Sequence, residues 1–248
     1  MSSVRFLISA LLAGIPAAGI AACDIRSGPH TAALVELYTS EGCSSCPPAD
    51  RRLADLRVGT TLVPLALHVG YWDALGWRDP YARAEFAARQ RWLARRGGRR
   101  AVYTPQFFLG GTDVGPVALA AEIDKLNHQP ALASIRLQAR RQKGDALAIS
   151  ASAKTAVDDA ALYVALAEND LSSQVQAGEN KGRKLSHDHV VRVWIGPIEL
   201  HAGAIEWERS IPLAPSWRPA QLELSAFVQD RRSGRVLQTV GAERCADN

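Results

Sequence analysis

The stretch Leu34-Val35-Glu36-Leu37-Tyr38-Thr39-Ser40-Glu41-Gly42-Cys43-Ser44-Ser45-Cys46-Pro47-Pro48-Ala49-Asp50 decides how the chain is read. Residues 32–38 form a short apolar run, the signature of a buried strand. Thr39-Ser40-Glu41-Gly42 is turn punctuation. From Pro47 to Leu56 the pattern is helical, with prolines confined to the first turn, where their missing N–H has no helical partner in any case. Cys43 and Cys46 therefore fall where a strand ends and a helix opens. A thiol at a helix N-terminus meets free N–H groups and the positive end of the dipole, which stabilise a thiolate, the attacking species. A second cysteine three residues on can close a disulfide or resolve a mixed one. The same spacing also serves an inert disulfide that locks the turn, or half of a metal site that needs two further ligands.

Downstream, residues 61–69 read as a second strand, with His68 near its carboxyl end. That position suits a proton carrier for the cysteines, and equally a hydrogen-bonded structural histidine. A helix is expected from Pro80 to Arg96, ended by Gly97-Gly98. A hairpin follows over residues 106–113, and a third helix from Pro116 to Asn127. Strand–helix alternation around a C-x-x-C resembles the thioredoxin-like redox context. In that fold a cis-proline faces the cysteine pair, and Tyr103-Thr104-Pro105 stands where it belongs. Pro105 is expected to shape a substrate groove, with Thr104, Tyr103 and Trp72 at its wall. Arg95, Arg96, Arg99 and Arg100 cluster in the turn before it. Arg99 and Arg100 are read as substrate contacts whose charge lowers the Cys43 pKa and draws anionic partners, or else as part of a solvated surface run.

After His128-Gln129-Pro130 the texture changes to about seven alternating stretches at short spacing, the pattern of a β-sandwich. The expected organisation is a thioredoxin-like α/β domain with a helical insertion over residues 30–130, then a small all-β, sandwich-like domain over residues 131–248. Residues 1–22 (MSSVRFLISALLAGIPAAGIAA) carry one arginine before an apolar stretch and end in small residues, as a signal peptide does. The protein is thus expected to be periplasmic or secreted. Cys23 then has two fates: a disulfide with Cys245, or acylation as the first residue of a lipoprotein. Parity among the four cysteines favours the disulfide.

At 248 residues and 47% hydrophobic, the chain can bury a core without staples. Charged residues at 22% exclude wholesale disorder. The net charge of +4 permits an anionic partner. Nucleic acid is not an expected partner, because the arginines lack interleaved stacking aromatics. His187-Asp188-His189 places two histidines at a spacing that can hold zinc or copper, yet no third ligand is evident and no metal or cofactor is assigned.

The string 34–50 resembles the hallmark of a secreted bacterial family, the domain of unknown function 1223. The resemblance continues at 68–73 (His-Val-Gly-Tyr-Trp-Asp), 75–80, Phe86, 88–90, 102–106, Gly178-Glu179-Asn180 and 187–192, so it spans nearly all of the chain after residue 22. It implies a thioredoxin-like domain followed by a β-rich one, and supplies no reaction. It also implies an acidic residue where this chain has Gly70. The functional expectation is an exported thiol–disulfide oxidoreductase acting on thiol or disulfide proteins, with a membrane-bound redox partner. Cys43 attacks, Cys46 resolves, and the two form a disulfide between turnovers. The alternative is a periplasmic copper-binding or protein-interaction module, with Cys43 and Cys46 as soft ligands and His187 or His189 assisting.

Overall fold

Apolar runs and turn signals place the elements in this order: β1 (Cys23–Arg26), β2 (Ala33–Thr39), α1 (Pro47–Ala54), β3 (Leu62–His68), α2 (Ala84–Arg96), β4 (Gln106–Leu109), β5 (Thr112–Val114), α3 (Leu119–Asn127), β6 (Ala133–Gln142), β7 (Ala146–Thr155), β8 (Ala160–Glu168), β9 (Leu171–Gln174), β10 (Lys184–His187), β11 (Val190–Glu199), β12 (Ala204–Pro212), β13 (Leu222–Asp230) and β14 (Val236–Glu243). They are seen in a computed structural model that describes residues 23–142 and 144–246. The expected signal segment, residues 1–22, lies outside the described residues. Residues 80–83, expected as the first turn of the second helix, are non-helical, and α2 begins at Ala84.

The expected fold class is corrected. The chain does not build an α/β thioredoxin-like domain with a helical insertion followed by a small separate sandwich. Fourteen strands against three α-helices among the described residues make a β-rich fold. Eight strands from both sides of residue 130 share one sheet, in the order β14-β13-β8-β11-β3-β2-β4-β5. The joint is a parallel bridge, Val190 opposite Ala66, supported by Ala66 N–H donating to His189 O at 2.8 Å. The physical reason lies in β8 and β13. All nine residues of β8 and eight of nine in β13 are buried. Strands buried on both faces belong at the centre of a sheet covered on both sides, which a small peripheral sandwich cannot provide.

Both covers are present. On one face α2 packs Phe86, Leu93 and Ala94 against Leu34 and Leu65 of the first half and Ala161, Tyr163 and Phe227 of the second. On the other face, α1 and α3 cover Val35, Leu37 and Phe107. A second sheet, β1-β6-β7-β12, covers Leu162, Val164, Leu224 and Val228 with Leu137, Leu147 and Ile149. The large sheet curls, so that Val236 N–H reaches Gly110 O at 2.9 Å and Gln238 Oε1 accepts Ala32 N–H at 2.8 Å. Cys23 and Cys245 are joined by a disulfide with Cα atoms 5.3 Å apart, which ties β1 to the segment after β14.

Candidate functional site

Cys43 and Cys46 are joined in a disulfide in the turn between β2 and α1, with Cα atoms 5.4 Å apart. Cys43 N–H donates to Ser40 O at 3.1 Å and Cys46 N–H to Cys43 O at 3.2 Å, which winds the chain into the helix. Cys46 occupies the N-cap and Pro47 is the first helical residue, so Cys43 stands one turn ahead of α1. The two cysteines are 1% and 0% exposed, while Ser44 and Ser45 between them are exposed. The Cys43 Sγ lies 3.4 Å from Ser45 Oγ.

Beneath the disulfide lies a buried network of carboxylates and imidazoles. The parallel register sets Thr39 beside His68. Thr39 Oγ1 donates to Asp50 Oδ1 at 2.7 Å, on the first turn of α1. His68 Nδ1 meets Asp79 Oδ2 at 2.7 Å, and the same carboxyl accepts the N–H of Glu41. Glu41 accepts from Trp77 Nε1 at 2.6 Å and contacts His187 Nε2 at 3.0 Å. The rings of His68 and His187 meet edge to face with centroids 5.0 Å apart. Neither His68 Nε2 nor His187 Nδ1 has a hydrogen-bond partner. Burial opposes the charge on His68, yet the Asp79 carboxylate outweighs it and raises the imidazole pKa. Burial likewise opposes ionisation of Asp79, and His68 together with the N–H groups of Glu41 and Tyr81 holds it below the usual carboxylate value. Asp50 moves the other way: burial dominates and raises its pKa, against the pull of His68, Thr39 and His187.

The expected groove residues come together. The Thr104–Pro105 peptide bond is cis. Trp72 Nε1 donates to Thr104 Oγ1 at 2.7 Å, and Trp72 packs so tightly on Gly42 that a Cβ there would sit 2.7 Å from the Trp72 Cβ. Gln90 holds Tyr103 O and Gln106 Oε1, each at 2.8 Å. Tyr71, Leu75 and Tyr103 leave apolar surface exposed. At Gly70 a Cβ would lie 3.2 Å from Asp73 Oδ2, so the acidic residue implied there by the resemblance would face another carboxylate.

Other expected partners disperse. Arg99 pairs with Asp113 at 2.5 Å, which also accepts from Tyr103 and Gln106, so its charge is neutralised locally. Arg96 donates to Arg232 O. Arg100 is exposed. The two histidines of the H-x-H separate: His187 turns to Glu41, whereas His189, at φ 57°, bonds Glu223 Oε2 at 2.8 Å. Among the described residues no group of three or more His, Cys, Asp or Glu side chains is placed to hold a metal ion.

A loop to which the sequence reading gave no role closes the site. Between β9 and β10, fully buried Asn180 donates to Glu41 O and Cys43 O, each at 2.9 Å. Its neighbour Glu179 accepts the N–H of Ser44 at 2.9 Å. Glu179 itself is exposed, and this bond holds its pKa below the ordinary value. The string Gly178-Glu179-Asn180 was the available signal, but its glycine and polar composition reads simply as a loop.

A family model described as "Protein of unknown function (DUF1223)" matches residues 34–229. The chain belongs to the DUF1223 family. The match starts in β2 and ends in β13, so this DUF1223 region includes both the cysteine turn and the loop clamped on it. The chain is similar to the crystal structure of a protein from Agrobacterium tumefaciens, at 25% identity and a TM-score of 0.62, over 88% of this chain and 96% of that one. It is also similar in fold to HBP35 of Porphyromonas gingivalis, at 15% identity and a TM-score of 0.66, over 88% of this chain and 76% of that one. No curated protein sequence matches.

Proposed function

We propose that this DUF1223 protein is an exported thiol–disulfide oxidoreductase working through Cys43 and Cys46. The observation that carries the reading is the Cys43–Cys46 disulfide at a strand-to-helix turn, seated on the buried Asp50–His68–Asp79 network and flanked by the Trp72–Thr104 wall. In the oxidising direction a partner thiolate attacks Cys43 Sγ, the S–S bond breaks, and Cys46 leaves as a thiolate that takes up a proton. A second partner thiolate attacks the mixed disulfide, and Cys43 leaves in turn. The partner dithiol becomes a disulfide and the protein a dithiol; reduction of a partner runs the same steps backwards. Two disulfides and no free cysteine support export, since such bonds persist in oxidising compartments. The partners are thiol or disulfide proteins, with a membrane-bound partner resetting the cysteine pair.

The test joins a potential to a trap. The Cys43–Cys46 couple should equilibrate with glutathione-range redox buffers, and Cys46→Ser should accumulate mixed disulfides on Cys43 in the exported fraction. A potential below about −300 mV, the range of structural staples, with nothing trapped, would reduce the bond to a lock on the turn.

A further inference from the structure

The end of α1 has little to offer a thiolate at Cys43. Pro47 and Pro48 have no N–H, and the amides of Ala49 and Asp50 both donate to Cys46 O. The adjacent donor is the Ser44 amide, and Glu179 occupies it. Glu179 is delivered by a rigid strap. Residues 175–183 are closed by hydrogen bonds from Val175 N–H to Arg183 O, Gly182 N–H to Val175 O and Arg183 N–H to Asn180 O. Asn180 bolts the strap to the cysteine turn, and Arg183 donates to Asn180 Oδ1 at 2.8 Å. Glu179 is in no ion pair among the described residues. The other charged or titratable groups around the turn are Glu41, Asp50, Asp79, His68 and His187 beneath it, and exposed Lys181 and Arg183 on the strap.

We propose that Glu179 is a specificity-determining residue at Cys43, restraining this nucleophile and selecting disulfides flanked by basic residues over anionic ones. The proposal rests on the exchange reading above. A carboxylate on the amide next to Cys43 sets a negative charge beside a residue whose sulfur must itself become negative to attack, and it occupies the N–H that adjoins Cys43 in the chain. An anionic partner approaches against the same charge. A lysine or arginine beside the partner's disulfide pairs with Glu179, draws it off the Ser44 N–H and frees that donor for the Cys43 sulfur. The Cys43 thiolate then attacks one partner sulfur. The partner S–S bond breaks, and the leaving sulfur departs as a thiolate that takes a proton from water. Cys46, as a thiolate, attacks Cys43 Sγ, which closes the protein disulfide and releases the second partner sulfur as a thiolate that takes a proton from water.

The experiment uses the whole exported protein, reduced, as wild type, Glu179→Gln and Glu179→Lys. Exposure of Glu179 keeps these variants folded, which circular dichroism verifies. Iodoacetamide alkylation of Cys43 against pH should show its transition about one pH unit lower in Glu179→Gln than in wild type. Two synthetic peptide disulfides, identical except for flanking lysines or glutamates, are then compared as oxidants. Wild type should favour the lysine peptide by about tenfold, Glu179→Gln should lose most of that preference, and Glu179→Lys should reverse it. An unchanged transition together with an unchanged rate ratio in Glu179→Gln overturns the proposal. If neither peptide reacts with wild type, the exchange reading falls instead, and the alkylation transition still decides whether Glu179 acts on Cys43.

Discussion

Half-buried Asp50 and buried His68 are two titratable side chains beside Thr39, and the structure pulls them in different ways. Burial raises the Asp50 carboxyl above its ordinary 3.8. The native state therefore holds a proton there that the unfolded chain has already lost, and stability falls as pH rises from about 3.8 through the folded value. Asp50→Asn keeps an acceptor for Thr39 and removes that cost. Urea unfolding should find it more stable than wild type at pH 8 and equal to it below pH 4; a variant less stable at pH 8 would show that the ionised carboxylate is needed. His68 is raised from 6.5 by Asp79, so its pairing contributes fully below that value and is lost as pH rises through the folded one. Asp79 is lowered from 3.8, so its share is present above that value and is lost as pH falls through the folded one. The pair is strongest between these limits. The stability gap between wild type and His68→Gln should accordingly shrink from pH 6 to pH 9, and a gap that widens there would rule out the charged pair.

At the scale of elements, β1 is the clearest case of a strand held by a covalent bond. Among the described residues it pairs only with β6, over four residues, and its first residue is Cys23. The Cys23–Cys245 bond spans a sequence separation of 222, for which the chain-entropy model gives up to about 5 kcal/mol. Replacing both cysteines by serine should lower unfolding stability toward that amount. Amide exchange should accelerate at residues 23–26 while the alkylation behaviour of Cys43 stays unchanged. Slow exchange in β1 after the replacement would mean that the β6 pairing alone suffices. The strap is the opposite case: backbone bonds among its own residues, buried Asn180 and the buried side chain of Val175 hold it without a covalent link.

Across the whole molecule, Arg89 is where the two halves of the chain are pinned. Its guanidinium bonds Glu36 on β2 at 2.6 and 3.0 Å and Gln229 on β13 at 3.0 Å, and it lies against the rings of Tyr163, Trp194 and Phe227. Both members of the ion pair are buried. Removing one leaves the other charge without compensation, at about 3–5 kcal/mol. Arg89→Met should destabilise by that amount in denaturant unfolding, and adding Glu36→Leu should recover much of it. A mild effect of Arg89→Met alone would show that the pin is unimportant. In sequence, Arg89 sits on a helix among other arginines, and composition and charge alone do not distinguish this buried one from its exposed neighbours Arg91, Arg95 and Arg96.

That contrast marks how far local pattern carried. The strand before Cys43, the helix after it, the three-residue spacing of the cysteines, the parity that pairs Cys23 with Cys245 and the strands after residue 130 were all legible, because each rests on short-range periodicity or on simple counting. The union of strands from both halves into one sheet was not. Burial on both faces of β8 and β13 depends on neighbours that arrive from opposite ends of the chain. The environment of Cys43 was likewise out of reach: Glu179, Asn180 and His187 lie more than 130 residues downstream of Glu41 and Ser44. Hydrogen bonds of that range leave no periodic trace in a sequence. They exist only after the chain has folded back on itself.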